Sequence, residues 1–170
     1  SDDIIASICG RLSPKDEAII ISSDQDLYQL IRHNISFYNP QKGKMITFQG
    51  FKKLYGISSY EWYMVKALAG CTTDEVPGIK GVGEKTAIKY LTNQLKHTTK
   101  AYQAIVSKEG KKIYKRNYKL VTLPFEGTKI FKLREDRISE KGWREVTEKL
   151  GMKSIRDKTP VFKQKKRKSK

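Results

Sequence analysis

Five aspartates and one glycine-rich string are the residues of this sequence best suited to chemistry. Asp2 and Asp3, Asp24 and Asp26, and Asp74 fall in three short groups. Mg²⁺ is a hard cation that keeps several waters and takes a few carboxylates. Two such ions a few ångströms apart can activate a water and stabilise the leaving oxygen of a phosphodiester. Simpler duties remain open for each residue: Asp2 and Asp3 as acids at a helix start, Asp24 or Asp26 as an N-cap, Asp74 as a loop acid. Position favours the metal reading, because Asp24 and Asp26 end a short apolar run in a chain otherwise rich in positive charge.

The string Val76-Pro77-Gly78-Ile79-Lys80-Gly81-Val82-Gly83-Glu84-Lys85-Thr86-Ala87 is the sharper signal. Glycines permit tight turns and close approach of another backbone. Backbone N–H groups of Gly83 and its successors, at a helix start, form an anion site. Lys80 and Lys85 flank it and Thr86 adds a hydroxyl. Following a helix over 60–69, the string reads as a helix–hairpin–helix in which Lys80, Gly81, Val82, Gly83, Lys85 and Thr86 hold a DNA phosphate without reading bases. The plain alternative is an αα-turn with incidental lysines. Lys111, Lys115 and Lys119 recur every four residues and form a second basic face on a helix, with Lys112 and Arg116 beside them and Tyr114 and Tyr118 interleaved; Lys111, Lys115 and Arg116 are candidate phosphate contacts. A solvated helix face is an equal reading of that stretch.

The elements that must position these groups follow from periodicity. Apolar residues at 4, 5, 8, 9 and 12 predict a first helix. Ser13-Pro14-Lys15-Asp16 is a turn. Ala18 to Ile21 is a continuous apolar run, predicted as a strand buried on both faces in a parallel sheet. A short helix over Leu27–Arg32 and a β-hairpin over residues 35–48 come next. Phe51–Tyr55 is a short helix ended by Gly56. Ser58 or Ser59 caps the helix that Gly70 ends, and Tyr60, Trp62, Tyr63 and Met64 on it are core candidates. The hairpin helix runs to Leu91. Later helices are expected near 98–109, 110–117 and 140–150, the last with Trp143, Val146 and Leu150 on one face. Helix, turn, strand and helix suggest one edge of an α/β sheet, where ligands gather at strand carboxyl ends. His33 and His97 sit in polar surroundings and read as surface residues.

Composition narrows the partner. The chain has 170 residues and a net charge of +17. Six of those charges lie between Lys163 and Lys170, and removing them still leaves +11. A basic body with a basic tail points to a polyanion, with steeply salt-dependent affinity. Nothing approaches the roughly 18 apolar residues of a membrane span, and no opening segment reads as a signal peptide. Cys9 and Cys71 form no C-x-x-C pair, so a zinc site is not expected from spacing, and this usage suits a reducing cytoplasm.

Taken in order, these motifs resemble the 5′ nuclease family, which includes phage 5′–3′ exonucleases, flap endonucleases and the 5′ nuclease domain of bacterial DNA polymerase I. Asp2-Asp3-Ile4-Ile5-Ala6 is similar to the end of its Glu-Ala-Asp-Asp motif. Ile21-Ser22-Ser23-Asp24-Gln25-Asp26-Leu27-Tyr28 resembles its strand-end Asp-x-Asp. Ala67 to Gly78 resembles Gly-Asp-x-x-Asp-Asn-Ile-Pro-Gly, and the glycine string follows as its helix–hairpin–helix. Tyr118 to Pro124 resembles a later Leu-Pro segment. The likeness spans roughly residues 1–155.

The resemblance implies a partial PIN-like, Rossmann-like α/β edge followed by a mostly helical DNA-binding region. Expected divisions are residues 1–48 as part of the nuclease core, 49–158 as the helix–hairpin–helix region, and 159–170 as a disordered basic tail. It implies two divalent metals, Mg²⁺ or Mn²⁺, with Asp2 and Asp3 near the first and Asp24, Asp26 and Asp74 serving the second, and K⁺ at the hairpin. It implies duplex or flap DNA as partner, neither a membrane nor a small-molecule substrate, and a cytoplasmic, nucleoid-associated protein, of a cell or of a phage in its host.

Three departures stand out. The family's earlier acids and helical arch are not in this sequence, which leads to the expectation of an N-terminal portion that either lies outside this sequence or is supplied as a separate nuclease half by another polypeptide. Cys71 stands where the first Asp of Gly-Asp-x-x-Asp belongs, and a neutral thiol is a poor Mg²⁺ ligand. Glu75 replaces the usual Asn. The expected activity is therefore structure-specific 5′–3′ cleavage that this chain performs incompletely. Its rivals are a noncatalytic helix–hairpin–helix module and a basic RNA-associated structural protein.

Overall fold

The computed structural model describes all residues except 72, 73, 132, 134–138, 157 and 159–170. The basic tail therefore lies outside the described residues. Helix α1 spans Asp2–Cys9, with Asp2 and Asp3 in its first turn, where negative charge meets the helix dipole favourably. Strand β1 (Ala18–Ile21) pairs in parallel with β2 (Ile35–Asn39), and β2 pairs antiparallel with β3 (Lys44–Ile46). Sheet order is β1-β2-β3. The parallel pairing expected from the apolar run is present, and a 3₁₀ helix, Gln25–Leu30, replaces the expected α-helix there.

The expectation that β1 is buried on both faces is corrected. Ile20 is buried, while Ile19 and Ile21 are 57% and 69% exposed. The reason is topological: β1 is an edge strand, and only one sheet face packs on the core of the described residues. Along β2 the burial alternates, with Ile35, Phe37 and Asn39 turned inward.

Thr47 caps α2 (Phe48–Tyr55), whose stop, Gly56, takes the left-handed conformation at φ 72, as a C′ glycine should. Ser58 and Glu61 form a capping box, which leads through a short 3₁₀ turn into α3 (Trp62–Ala69). Trp62, Val65, Lys66, Ala67 and Leu68 are all buried on it. Of the expected core residues there, Tyr60 is instead exposed. A two-stranded hairpin follows, β4 (Gly70–Cys71) against β5 (Val76–Pro77), then α4 (Glu84–Leu91), α5 (Lys100–Val106) and α6 (Lys108–Val121).

One core serves residues 1–132, built around Tyr28, Phe37, Phe51 and Trp62. Tyr28 meets Phe37 edge-on at 4.8 Å, and Phe51 meets Trp62 edge-on at 5.5 Å, the orientation that ring quadrupoles favour. Residues 133–170 form a second unit with α7 (Glu140–Lys149) and α8 (Lys153–Arg156). On α7, Ser139 caps the first turn, and the apolar Val146 and Leu150 beyond it are exposed. No helix among the described residues is long and apolar enough to cross a membrane.

Candidate metal and nucleic-acid site

Two glycines fix the centre of the site. Gly70 has φ 79, and a Cβ there would lie 2.3 Å from Gly78 N and 2.4 Å from Val76 O. A Cβ on Gly78 would lie 2.0 Å from Ala69 O. Only glycine at both positions lets the chain entering β4 press against the chain leaving β5. Asn117 on α6 secures the same crossing: fully buried, it donates to Ala67 O at 3.1 Å and Pro77 O at 3.0 Å. Arg116 also reaches Pro77 O, at 2.9 Å.

This crossing sets Cys71 and Asp74 opposite the 3₁₀ helix that follows β1. The carboxylate of Asp74, the thiol of Cys71 and the carboxylate of Asp26 place their donor atoms within 4.8 Å of one another. Cys71 Sγ lies 3.1 Å from Asp74 Oδ2 and 3.6 Å from Asp26 Oδ2, and its one S–H can donate to either carboxylate. The other oxygen of Asp26 faces Lys66 Nζ at 3.1 Å, and Lys66 also reaches Glu84 Oε1 at 3.0 Å. Burial raises the Asp26 pKa, and the Lys66 charge only partly offsets it. Burial works against the Lys66 ammonium too, but Glu84 and Asp26 outweigh it, and its pKa stands above the ordinary lysine value.

A cleft of about 560 Å³ holds this group, lined by Asp24, Asp26, Lys66, Cys71, Asp74 and, at the start of α4, Gly83 and Glu84. Asp24 accepts from Asp26 N at 2.8 Å, so it caps the 3₁₀ helix with one oxygen. A second cavity of about 250 Å³ brings Asp2 and Asp3 to the other side of Asp26 and Asp74. There Asp3 accepts from Phe125 N at 2.6 Å, and Asp2 accepts from Ser1 Oγ at 3.1 Å. All five predicted aspartates thus border two adjoining cavities, and Asp26 and Asp74 are common to both. The close donor set contains only two of the five.

The phosphate-binding candidates are partly rearranged. Lys80, Gly81, Gly83 and Lys85 are exposed, Thr86 is half-buried, and Gly83 is the cap residue of α4. Val82 is buried in the core with Ile79, so only its backbone could face a ligand. Lys111 and Lys115 are exposed on α6. Arg116 is anchored to Pro77 O and to Asn117 Oδ1, at 3.0 Å, and serves the crossing as much as any outside partner. His33 and His97 are exposed, as expected.

Sequence reasoning missed Lys66 and Glu84. A signal for Lys66 was present: it is the one charge in the apolar segment Trp62–Ala69, and a buried ammonium requires a counter-charge.

Glu75 has φ 55, in the left-handed region that Asn visits readily and longer side chains do not. That geometry is a physical reason for Asn in the motif this segment resembles.

The comparisons with known proteins agree with the motif order. The chain is 35% identical over 130 residues to a 5′-3′ exonuclease of Buchnera aphidicola subsp. Schizaphis graminum, covering 76% of this chain and 41% of that protein. It is 31% identical over 149 residues to the flap endonuclease Xni of Shewanella frigidimarina, covering 82% and 58%. It is 36% identical over 92 residues to DNA polymerase I of Thermus thermophilus, covering 54% and 11%. The chain therefore spans only part of the length of these relatives. No family model matches. Among solved structures, bacteriophage T5 5′-exonuclease with bound zinc superposes with a TM-score of 0.61 at 22% identity, over 72% of this chain and 49% of that one. The T5 D15 flap endonuclease, solved with DNA and metal ions, gives 0.60 at 19% identity, covering 72% and 49%. The fold resembles the T5 exonuclease fold, and the resemblance to the 5′ nuclease family drawn from the motifs is borne out.

Proposed function

We propose that this chain, a relative of the 5′–3′ exonucleases and flap endonucleases, is the part of such a nuclease that grips DNA beside a divalent-metal cleft and contributes to metal-dependent phosphodiester hydrolysis at 5′ ends or flaps. One observation carries the reading: the same cleft is lined by Asp24, Asp26, Cys71 and Asp74 and by Gly83 and Glu84 at the start of α4. A phosphate held at the α4 N-terminus stands next to the acids that would hold metal.

The donor chemistry fits divalent ions. The Asp2–Asp3 side offers carboxylate oxygen and suits Mg²⁺ or Mn²⁺, and Asp26 and Asp74 stand between the two sides. Bound metals would supply water activation and charge stabilisation at the phosphodiester. The protein's own residues do the rest. Lys66 occupies one oxygen of Asp26 and leaves the other directed at the cleft. Gly70, Gly78 and Asn117 hold Cys71 and Asp74 in place. Lys80, Lys85, Thr86 and the backbone of Gly81 to Gly83, read as a helix–hairpin–helix, hold the duplex by its phosphates, with K⁺ as a bridging ion. Lys111 and Lys115 extend that track. Duplex or flap DNA is the partner, in a cytoplasmic, nucleoid-associated setting.

A second segment of the nuclease, on this or another polypeptide, completes the site. Two facts support it: the relatives are longer than the match, and β1 leaves Ile19 and Ile21 exposed on an open sheet face. A second reading, a noncatalytic DNA-binding module, is favoured by the thiol standing among the carboxylates.

Cleavage of labelled 5′-flap DNA with and without Mg²⁺ or Mn²⁺ separates the two. Metal-dependent cleavage lost in Asp24→Ala supports the nuclease. Binding without cleavage under any divalent ion, weakened by Lys85→Ala and unchanged when the second nuclease segment is supplied, supports the module.

A further inference from the structure

Cys71 is placed as a ligand would be placed, not as a core filler. A buried cysteine usually behaves as a small apolar side chain. Here the sulfur faces two carboxylates, with Asp74 Oδ2 at 3.1 Å and Asp26 Oδ2 at 3.6 Å, and the side chain lines the cleft. Metal–sulfur bonds of about 2.3 Å and metal–oxygen bonds of about 2.1 Å put sulfur and oxygen about 3.1 Å apart at a right angle and about 3.6 Å apart at a tetrahedral angle. The observed separations are of the size a shared ion would set, with a small side-chain adjustment drawing the two carboxylate oxygens together. The backbone crossing at Gly70 and Gly78, closed to any side chain, leaves β4 little freedom to carry the sulfur elsewhere.

We propose that the Asp26–Cys71–Asp74 group is a mixed sulfur–oxygen site that takes a thiophilic divalent cation, Zn²⁺, Co²⁺ or Cd²⁺, in strong preference to Mg²⁺. The proposal rests on the metal-cleft reading above and specifies which ion this side of the cleft selects. A thiolate is a soft donor and carboxylates are borderline to hard, so the set favours Zn²⁺-like ions, while Mg²⁺ demands an all-oxygen octahedron and gains little from sulfur. On binding, the Sγ–H bond breaks, the proton leaves to solvent and the sulfur lone pair forms the metal–sulfur bond; no electron is transferred. An aspartate at position 71 would supply oxygen instead, and with it the hard site the family motif suggests. The Asp2–Asp3 side has no sulfur among its lining residues and keeps its oxygen character. The two halves of one cleft thus differ in ion preference.

The test is a Co²⁺ titration of the full chain followed by absorption. A near-ultraviolet sulfur-to-cobalt charge-transfer band is expected at one equivalent. It should persist in Cys9→Ala, disappear in Cys71→Asp, and be displaced by stoichiometric Zn²⁺ but not by Mg²⁺ in large excess. The ratio of Zn²⁺ to Mg²⁺ affinity should fall at least ~100-fold in Cys71→Asp. Cadmium-113 NMR of the unmodified protein gives the same answer without a variant, because sulfur ligation moves the cadmium resonance far from its all-oxygen position. Co²⁺ binding that shows no charge-transfer band and yields to Mg²⁺ would overturn the mixed-ligand site and leave the metal cleft standing. An unmodified chain that binds no divalent ion would overturn both.

Discussion

Lys66 Nζ lies 3.1 Å from Asp26 Oδ1 and 3.0 Å from Glu84 Oε1, joining the first turn of the 3₁₀ helix after β1 to the first turn of α4. The acid group and the turn proposed to bind phosphate are thereby linked through one buried side chain on α3. Lys66 is 7% exposed, and the side chain of Asp26 is 14% exposed, so their pair is poorly screened; the Glu84 carboxylate is 41% exposed and its share is weaker.

Removing one member of such a pair strands the other. Lys66→Met should lower stability by about 2–4 kcal/mol, at the lower end of the buried-pair range because Glu84 is partly solvated. Denaturant unfolding measures it. Asp26→Asn in the Lys66→Met background should restore part of the loss, because the uncompensated carboxylate is then gone.

Gly78→Ala should be among the most damaging single-methyl changes in the chain. The added Cβ meets backbone, Ala69 O at 2.0 Å, and backbone cannot move aside as a side-chain tip can. A loss of about 3 kcal/mol or more is expected in thermal or denaturant unfolding, with weakened divalent-ion binding, because β4 carries Cys71.

Glu75→Asn should stabilise the protein by about 0.5–1 kcal/mol. Position 75 holds φ 55, a conformation that costs most side chains about 1–2 kcal/mol and that Asn adopts more cheaply. Unfolding midpoints of the two proteins decide it.

The order of motifs, the first strand and its parallel pairing, the capping serine, the Gly56 stop and the aspartate groups were all legible in the sequence. They rest on local rules: turn residues, apolar runs and helix caps act within a few positions. What was not legible depends on long-range placement. Lys66 finds Asp26 forty positions away and Glu84 eighteen positions away. Ile19 and Ile21 look buried by composition, yet the described chain covers only one face of the sheet. Val82 reads as part of a basic loop, but its side chain fills the core beside Ile79. Asp24 and Asp26, a matched pair by spacing, divide between capping and the metal-capable group.

The open face of β1 makes a further prediction. Ile19→Ser together with Ile21→Ser should change the stability of this chain by about 0.5 kcal/mol or less per site, because both side chains already meet water. Association with the unmatched portion of a relative such as the Shewanella flap endonuclease, measured by calorimetry, should weaken markedly. Unchanged association would place that segment elsewhere.

DNA affinity should fall linearly with the logarithm of salt concentration. Lys85→Ala should reduce the slope by about 0.9, the value for one lost phosphate contact on duplex DNA. Its effect should be equal across sequences, since phosphate contacts read no bases.

The central claim is that hairpin and acids act on one phosphodiester, and cleavage of a labelled 5′-flap duplex tests it most directly. With the unmatched portion of a relative such as the Shewanella flap endonuclease supplied to complete the site, the account predicts cleavage that requires a divalent ion, is lost in Asp24→Ala, and is reduced in Lys85→Ala together with binding. Flap binding with no cleavage in Mg²⁺, Mn²⁺, Co²⁺ or Zn²⁺ even with that segment present, unaltered by Asp24→Ala, would contradict it and leave a DNA-binding module in its place.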